Sequence, residues 1–137
     1  MKQFLAAALL LAAAPAAAQS IETAGGDWSN IPEMRQTAGV TIDPHAIGVI
    51  MDMVERRECA IAGQRRGSVD LNLSFLVLFK PDGAIDRLVL SPFGCARAEG
   101  VLAGALLHLV QAGGFQPVGG RREGWFRGEI GFTHSGG

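Results

Sequence analysis

The stretch that decides the fold is residues 69–90, which read VDLNLSFLVLFKPDGAIDRLVL. In its first half every second residue is apolar, so an extended strand there would have one continuous apolar face. Lys80-Pro81-Asp82-Gly83 follows, in which the proline presets the turn and the glycine can adopt the left-handed backbone conformation. The sequence therefore predicts a β-hairpin with strands at residues 69–79 and 84–90.

The N-terminal residues have the composition of a secretory signal peptide. A basic start is followed by an apolar run over residues 4–11 and by small residues ending in Ala16-Ala17-Ala18. This apolar core is short for a membrane span, which needs about 20 residues. The sequence therefore predicts that residues 1–18 are cleaved on export to the periplasm, and that the mature chain has no membrane span.

Composition and charge limit the classes of partner. The chain of 137 residues has a formal net charge of −1, and acidic residues lie close to each of its arginine pairs. A solvated surface explains such interspersed charge, so no nucleic-acid partner is expected. The residues that remain after the signal peptide are enough for a single domain with a modest core.

Residues 19–42 are predicted to be a flexible arm or linker, and residues 43–134 to be the folded domain. Glycine, proline and asparagine interrupt any regular period in the arm, where Trp28 is the one large aromatic residue. Trp28 suits either a contact with the domain or an exposed position. The sequence does not choose between them.

One helix is predicted before the hairpin and another after it. Asp43-Pro44 has the residue types of an N-cap and a first helical position, and an apolar stripe follows. The second helix is predicted at about residues 96–112 and ends at Gly113-Gly114. Gly100 and Gly104 lie inside it. Since glycine costs about 1 kcal/mol in a helix relative to alanine, we expect a neighbouring backbone to approach closely there.

A last strand is predicted at about residues 124–133, which gives the order helix, strand, strand, helix, strand. A strand–helix–strand crossover is right-handed, and its two strands are parallel. If the long first strand lies between the other two, all neighbouring strands are antiparallel. We therefore predict an α+β domain: a three-stranded antiparallel sheet of order 2-1-3, numbered along the chain, with two helices on one face.

Several of these features resemble the C-terminal domain of the TonB and TolA family of envelope energy-transducing proteins. They are the alternating strand ending in Phe79-Lys80-Pro81-Asp82-Gly83, the return strand at 85–90, the helix beginning near Cys95-Ala96, and the exit Gly114-Phe115-Gln116-Pro117. The exit is similar to the family's aromatic-x-Pro step into its last strand. The resemblance covers about residues 43–134 and implies the fold of that domain.

The chain also departs from the pattern of that family. Asp43-Pro44 stands where the TonB domain often opens with Tyr-Pro. The predicted signal peptide stands where the family has a membrane helix, and the short arm replaces a long span across the periplasm. Without an anchor the chain could not transmit force from an inner-membrane motor. The resemblance therefore implies a fold and a mode of partner binding, and not energy transduction.

The two cysteines, Cys59 and Cys95, are predicted to form a disulfide because the chain is expected to be exported. Cys95 is also the best candidate for a nucleophile, since a helix N-terminus favours the thiolate. His45, His108 and His134 are scattered without the spacing of metal ligands. We therefore expect no catalytic residues, no metal and no cofactor, with a thiol enzyme that uses Cys95 as the alternative.

The predicted binding surface lies on the last strand, which would be an edge of the sheet. Its outer row of backbone groups would be unpaired, and glycines at positions 124, 128 and 131 would let another backbone approach. The side chains predicted to bind a partner lie on the face away from the helices: Trp125, Arg127, Glu129, Leu76 and Leu78. The N-terminal arm is the alternative cover for the apolar members of this group.

We therefore expect a soluble periplasmic protein-binding or adaptor module of the cell envelope. It would capture an extended segment of an envelope protein by β-augmentation at the last strand, which is the mode that the resemblance implies. The alternative is a self-associating structural or assembly component of the envelope, with a homodimer as its simplest form.

Overall fold

A computed structural model of the chain describes residues 21–61, 64–65 and 68–135, and the predicted signal peptide lies outside these residues. This part of the chain has two helices and seven strands, so the predicted α+β class is confirmed. In chain order the elements are β1 (Ile21–Thr23), β2 (Met34–Gln36), α1 (Pro44–Glu55), β3 (Gln64–Arg65), β4 (Ser68–Phe79), β5 (Ile85–Leu90), α2 (Ala96–Gln111), β6 (Phe115–Pro117) and β7 (Gly124–Ser135).

The predicted hairpin is the centre of the fold, and β4 and β5 begin and end within one residue of their predicted bounds. Gly83 adopts the left-handed backbone conformation, with φ of 84°. Lys80 N–H donates to Ala84 O at 2.8 Å, and Asp82 Oδ1 accepts from Ala84 N–H at 2.9 Å. The turn residues therefore act as their chemistry predicts.

β4 lies between two antiparallel neighbours, since β5 pairs with its second half and β7 pairs along its whole length. β1 extends the sheet beyond β5 in parallel, and β3 pairs with the start of β4. The sheet therefore has five strands and not the predicted three. β2 and β6 form a separate sheet. These four additional strands have two or three residues each, which is too short to show alternation in the sequence.

Both helices contribute to one core on the apolar face of β4. α2 packs on β5 and β1, and α1 packs on α2. Asp43 caps α1 as predicted, with Oδ1 accepting from His45 N–H at 3.0 Å. Phe75 of β4 and Leu102 of α2 have no exposed surface, so the alternating residues of the hairpin are what the helices cover.

The predicted disulfide between Cys59 and Cys95 is confirmed, with the two Cα atoms 5.4 Å apart. It joins the segment after α1 to the residue that precedes α2. Beside it, Arg97 Nη1 and Glu58 Oε2 form an ion pair at 3.0 Å. The disulfide and the ion pair therefore both link the end of α1 to the start of α2.

Gly100 and Gly104 of α2 are exposed, and a Cβ atom built on either one would meet nothing within 4 Å. The prediction that a neighbouring backbone approaches them closely is therefore wrong.

Replacing both Gly100 and Gly104 by alanine should raise the free energy of unfolding by about 1–2 kcal/mol, because each alanine lowers the entropic cost of forming the helix. Chemical denaturation measures this gain. Gly114→Ala is the matched control: its Cβ would lie 2.8 Å from Leu109 O, so it should destabilise the protein. A loss of stability in the double alanine variant would contradict the open surroundings of these two glycines.

Candidate functional site

β7 directs its side chains alternately to the two faces of the sheet. Phe126 and Ile130 are buried in the core shared with the helices. Trp125, Arg127 and Glu129 therefore lie on the opposite face, which we call the outer face. The predicted partner-binding residues of β7 are thus on the side of the sheet that the helices do not cover.

Pairing across β4 and β7 brings the predicted partner-binding residues together. Trp125 lies opposite Leu78, and Arg127 lies opposite Leu76. Leu76 is only 7% exposed although it is not part of the core shared with the helices, and Val89, its partner on β5, is 6% exposed. Another part of the chain therefore covers this portion of the outer face.

Residues 24–33, which we call the strap, supply this cover. The first residue of the strap donates a backbone hydrogen bond to β5 at 3.1 Å, near one edge of the sheet. At the other edge, Arg127 N–H donates to Pro32 O at 2.8 Å. Trp28 and Ile31 between these points are half-buried. The strap therefore crosses the outer face from the β5 side to β7.

An ion pair holds the end of the strap on β7. Arg127 Nη2 donates to Glu33 Oε1 at 2.6 Å, and the side chain of Arg127 is 18% exposed. Earlier in the strap, hydrogen bonds from Ser29 hold the pKa of the Asp27 carboxyl below its ordinary value, and the positive charge of Arg127 lowers this pKa further. Glu33 is therefore the carboxylate of the strap that contacts the largely buried Arg127 side chain.

The chain continues from the strap into β2, which pairs with β6, and Met34 of β2 is buried in the core. Trp28 is half-buried, which lies between the contact and the exposed positions that the sequence allowed. Sequence analysis missed Glu33 because its partner lies 94 positions away. The signal that could have found it is the acid next to Pro32, one of three acids in the arm.

The five predicted partner-binding residues differ in how accessible they are. Trp125 is 36% exposed, Glu129 is exposed and Leu78 is half-buried. Leu76 lies beneath the strap, and Arg127 is engaged by Glu33. A partner that approaches the folded chain can therefore reach Trp125, Glu129 and Leu78 directly. It can reach Leu76 and Arg127 where the strap moves aside.

Beyond Arg127, the outer edge of β7 has no backbone partner among the described residues. The N–H group of Arg127 points away from β4, towards the strap. Backbone directions alternate along an antiparallel strand, so the N–H groups of Glu129, Gly131 and Thr133 also point outward. We call the part from Glu129 to Ser135 the open edge. It presents a row of hydrogen-bonding groups to solvent.

The backbone conformation or a close neighbouring side chain explains each glycine of β7. Gly124 has φ of 98°, a conformation that L side chains rarely adopt. A Cβ atom at Gly128 would lie 2.7 Å from Cε1 of Phe75, and one at Gly131 would meet Oδ1 of Asn72. Each of the three glycines therefore has a reason within the chain, and the approach of another backbone stays a prediction.

The candidate nucleophile Cys95 is bonded to Cys59, and the described residues include no free cysteine. In the same part of the chain, no three His, Cys, Asp or Glu side chains are grouped as metal ligands. A cleft of about 470 Å³ lies between the start of α1 and α2, and Asp43 and His108 are among its lining residues. It contains neither cysteine nor serine. The outer face with the open edge is therefore the strongest candidate site.

Neither of the two helices that the structure describes is long and apolar enough to cross a bilayer. The geometry of β7 and the strap is what points to a function, since no protein-family model, no curated protein and no solved structure matches this chain.

Proposed function

We propose that this protein is a soluble periplasmic protein-binding or adaptor module of the cell envelope, which captures an extended segment of an envelope protein by β-augmentation along the open edge. The observation that carries the proposal is the row of outward-pointing backbone groups from Glu129 to Ser135. Hydrogen bonds to such a row bind an extended segment, and the neighbouring side chains select its sequence.

The composition of β7 supports docking at this edge. Natural proteins usually blunt an exposed edge strand with lysine, proline or a bulge. β7 contains no lysine or proline between Gly124 and Ser135, and its pairing with β4 runs without a register shift. The strap occupies this edge at Arg127, and among the described residues no backbone hydrogen bond reaches the edge beyond it.

The proposal includes a fold like the C-terminal domain of TonB and TolA and a periplasmic location. The antiparallel neighbours of β4, with α2 connecting β5 to the last part of the chain, support the fold. The signal-like composition of residues 1–18 supports the location. β1 and β3 are additions to the predicted sheet of order 2-1-3.

A second copy of the chain is the alternative occupant, which would make the protein a self-associating component of the envelope. Two copies of one edge can pair antiparallel about a two-fold axis. The outer face beside the open edge is polar, because Asp70 and Asn72 are exposed there and Ser74 is half-buried. A sheet continued across two copies would therefore keep this face in water. A thiol enzyme is the weaker alternative, since Cys95 would first have to be reduced.

Thr133→Pro should reduce capture of an envelope partner at least tenfold, because the proline removes an outward backbone N–H group while leaving the backbone hydrogen bonds to β4 in place. The measurement is a quantitative pull-down from envelope extract with the full chain as bait. Thr133→Ala is the matched control: it loses the same hydrogen bond from Thr133 Oγ1 to Asp70 (3.2 Å) but keeps the backbone N–H group.

The free energies of unfolding of the two variants should differ by no more than about 1–2 kcal/mol, since an outward-facing proline is tolerated on an edge strand. Equal capture by Thr133→Pro and Thr133→Ala would show that the open edge is not the docking site. Light scattering after gel filtration identifies the alternative: a dimer of the wild-type chain that Thr133→Pro converts to a monomer makes a second copy the occupant.

A further inference from the structure

We infer that the outer face beneath the strap is a second docking surface, and that its partner is an extended segment that runs parallel to β7 and carries an aromatic residue and a carboxylate spaced as Trp28 and Glu33 are. The strap is then the occupant of this surface within the free chain. The inference rests on the proposed role of β7 as a docking strand and adds the chemistry of the segment that binds.

The strap has few ties between its two ends. Its backbone hydrogen bonds to the rest of the chain are those of its first residue, of Pro32 and of Glu33, whose carbonyl oxygen accepts from Val118 N–H at 3.0 Å. Within it, Ile31 N–H donates to Trp28 O at 3.0 Å, and Ser29 N–H donates to the Asp27 side chain at 3.0 Å. Trp28 and Ile31, in the middle of the strap, are half-buried. A segment with few backbone bonds to the sheet belongs to the part of a protein that opens at low free-energy cost.

The surface beneath the strap is apolar. Leu76 and Val89 are buried there, and Leu78 and Trp125 lie beside them on the same face. Removing the strap would expose these four side chains together, and an apolar patch of that kind favours a new cover. A partner segment therefore needs a large apolar side chain, and the half-buried Trp28 is the aromatic residue that the strap supplies.

The charge requirement comes from Arg127. Its side chain is 18% exposed, and its guanidinium pairs with the carboxylate of Glu33, whose side chain is 63% exposed. If the strap left, this cation would lose its partner beside the apolar side chains, and a carboxylate that replaced Glu33 would restore a charge-assisted hydrogen bond. The occupant must therefore supply an acid at this position.

The direction of the segment follows from the backbone. Glu33 forms a parallel bridge with Arg127, and Arg127 N–H donates to Pro32 O. An occupant that reproduces both contacts runs parallel to β7. Its carboxylate then lies opposite Arg127 and its preceding residues cross the outer face, as those of the strap do.

A peptide of residues 24–33 with a fluorescent label tests the inference, because it presents the required chemistry to the surface from outside. The receptor is the full chain, either wild type or with Trp28→Ala and Glu33→Gln to weaken its own strap. Binding is measured by fluorescence anisotropy. The intact strap competes at an effective concentration of about 1 mM, so the wild-type chain should bind the peptide weakly.

The strap-weakened variant should bind the peptide at least tenfold more tightly than the wild-type chain does. Asp52→Asn is the matched control in the protein, since it removes a carboxylate that pairs with Arg56 away from the strap, and it should bind as the wild type does. A peptide with Glu33→Gln should bind the strap-weakened variant at least tenfold more weakly than the parent peptide. Glu33→Gln alone in the protein should give a smaller gain in the same direction.

Three results would overturn the inference: equal binding of the peptide by the wild type and the strap-weakened variant, no binding by either, or a dimer of the strap-weakened variant that excludes the peptide. Thr133→Pro added to the strap-weakened variant should leave peptide binding unchanged, because Thr133 lies on the open edge beyond the strap. The Thr133→Pro variant therefore tests docking at the open edge, and peptide binding tests this inference, so each can fail without the other.

Discussion

Replacing Cys59 and Cys95 together by alanine should lower the free energy of unfolding by about 4 kcal/mol. The disulfide closes a loop with a sequence separation of 36, and a crosslink of that span removes a corresponding amount of chain entropy from the unfolded state. For a domain of this size the melting temperature should fall by roughly 15 °C. Calorimetry or thermal circular dichroism measures the shift.

The ion pair between Arg97 and Glu58 supplies the matched control, since it links the same helix ends without a covalent bond. Glu58→Gln should cost less than about 1 kcal/mol, because solvent screens an ion pair with so exposed an arginine. A reducing agent should destabilise the wild type and leave the double alanine variant unchanged. A loss under about 1 kcal/mol on removing the disulfide would show that packing, and not the crosslink, holds α1 on α2.

Gly128→Ala should destabilise the protein by about 2–3 kcal/mol, near the upper part of the range for overpacking a core. The new Cβ would lie 2.7 Å from Cε1 of Phe75. Phe75 has no exposed surface, and its ring packs edge-on against Phe115 with the centroids 5.0 Å apart. The ring therefore has little room to move away. Chemical denaturation measures the loss.

Gly131→Ala is the control on the same strand. Its Cβ would meet the end of the exposed Asn72 side chain, which can rotate away, so the cost should stay below about 1 kcal/mol. Combining Gly128→Ala with Phe75→Leu should destabilise less than the sum of the two single changes, since the smaller side chain relieves the clash. Strict additivity of the two would contradict the proposed contact.

The strap changes how the binding surface is understood. From the sequence, the arm and an external partner were competing covers for the apolar residues of the outer face. In the structure the arm covers Leu76, yet Trp125 remains accessible and the open edge continues past the strap. A partner that docks on the open edge and one that replaces the strap would thus occupy neighbouring parts of β7.

The features that could be predicted from the sequence depend on residues close together in the chain. The alternation of residues 69–79, the turn at Lys80-Pro81-Asp82-Gly83 and the cap at Asp43 are each decided within a few positions, because backbone geometry and local hydrogen bonds specify them. The disulfide was predictable for another reason: the sequence has two cysteines, which offer one intramolecular pairing.

The candidate site depended on contacts between distant residues. Glu33 meets Arg127 across 94 positions, and the ring of Phe75 fills the space that Gly128 leaves on the neighbouring strand. The short strands β1 and β2, which place the strap, have too few residues for a periodic signal. The sequence by itself therefore determined the hairpin, the helices and the disulfide. Only the tertiary structure decided what covers the outer face, because that depends on which distant segments the sheet brings into contact.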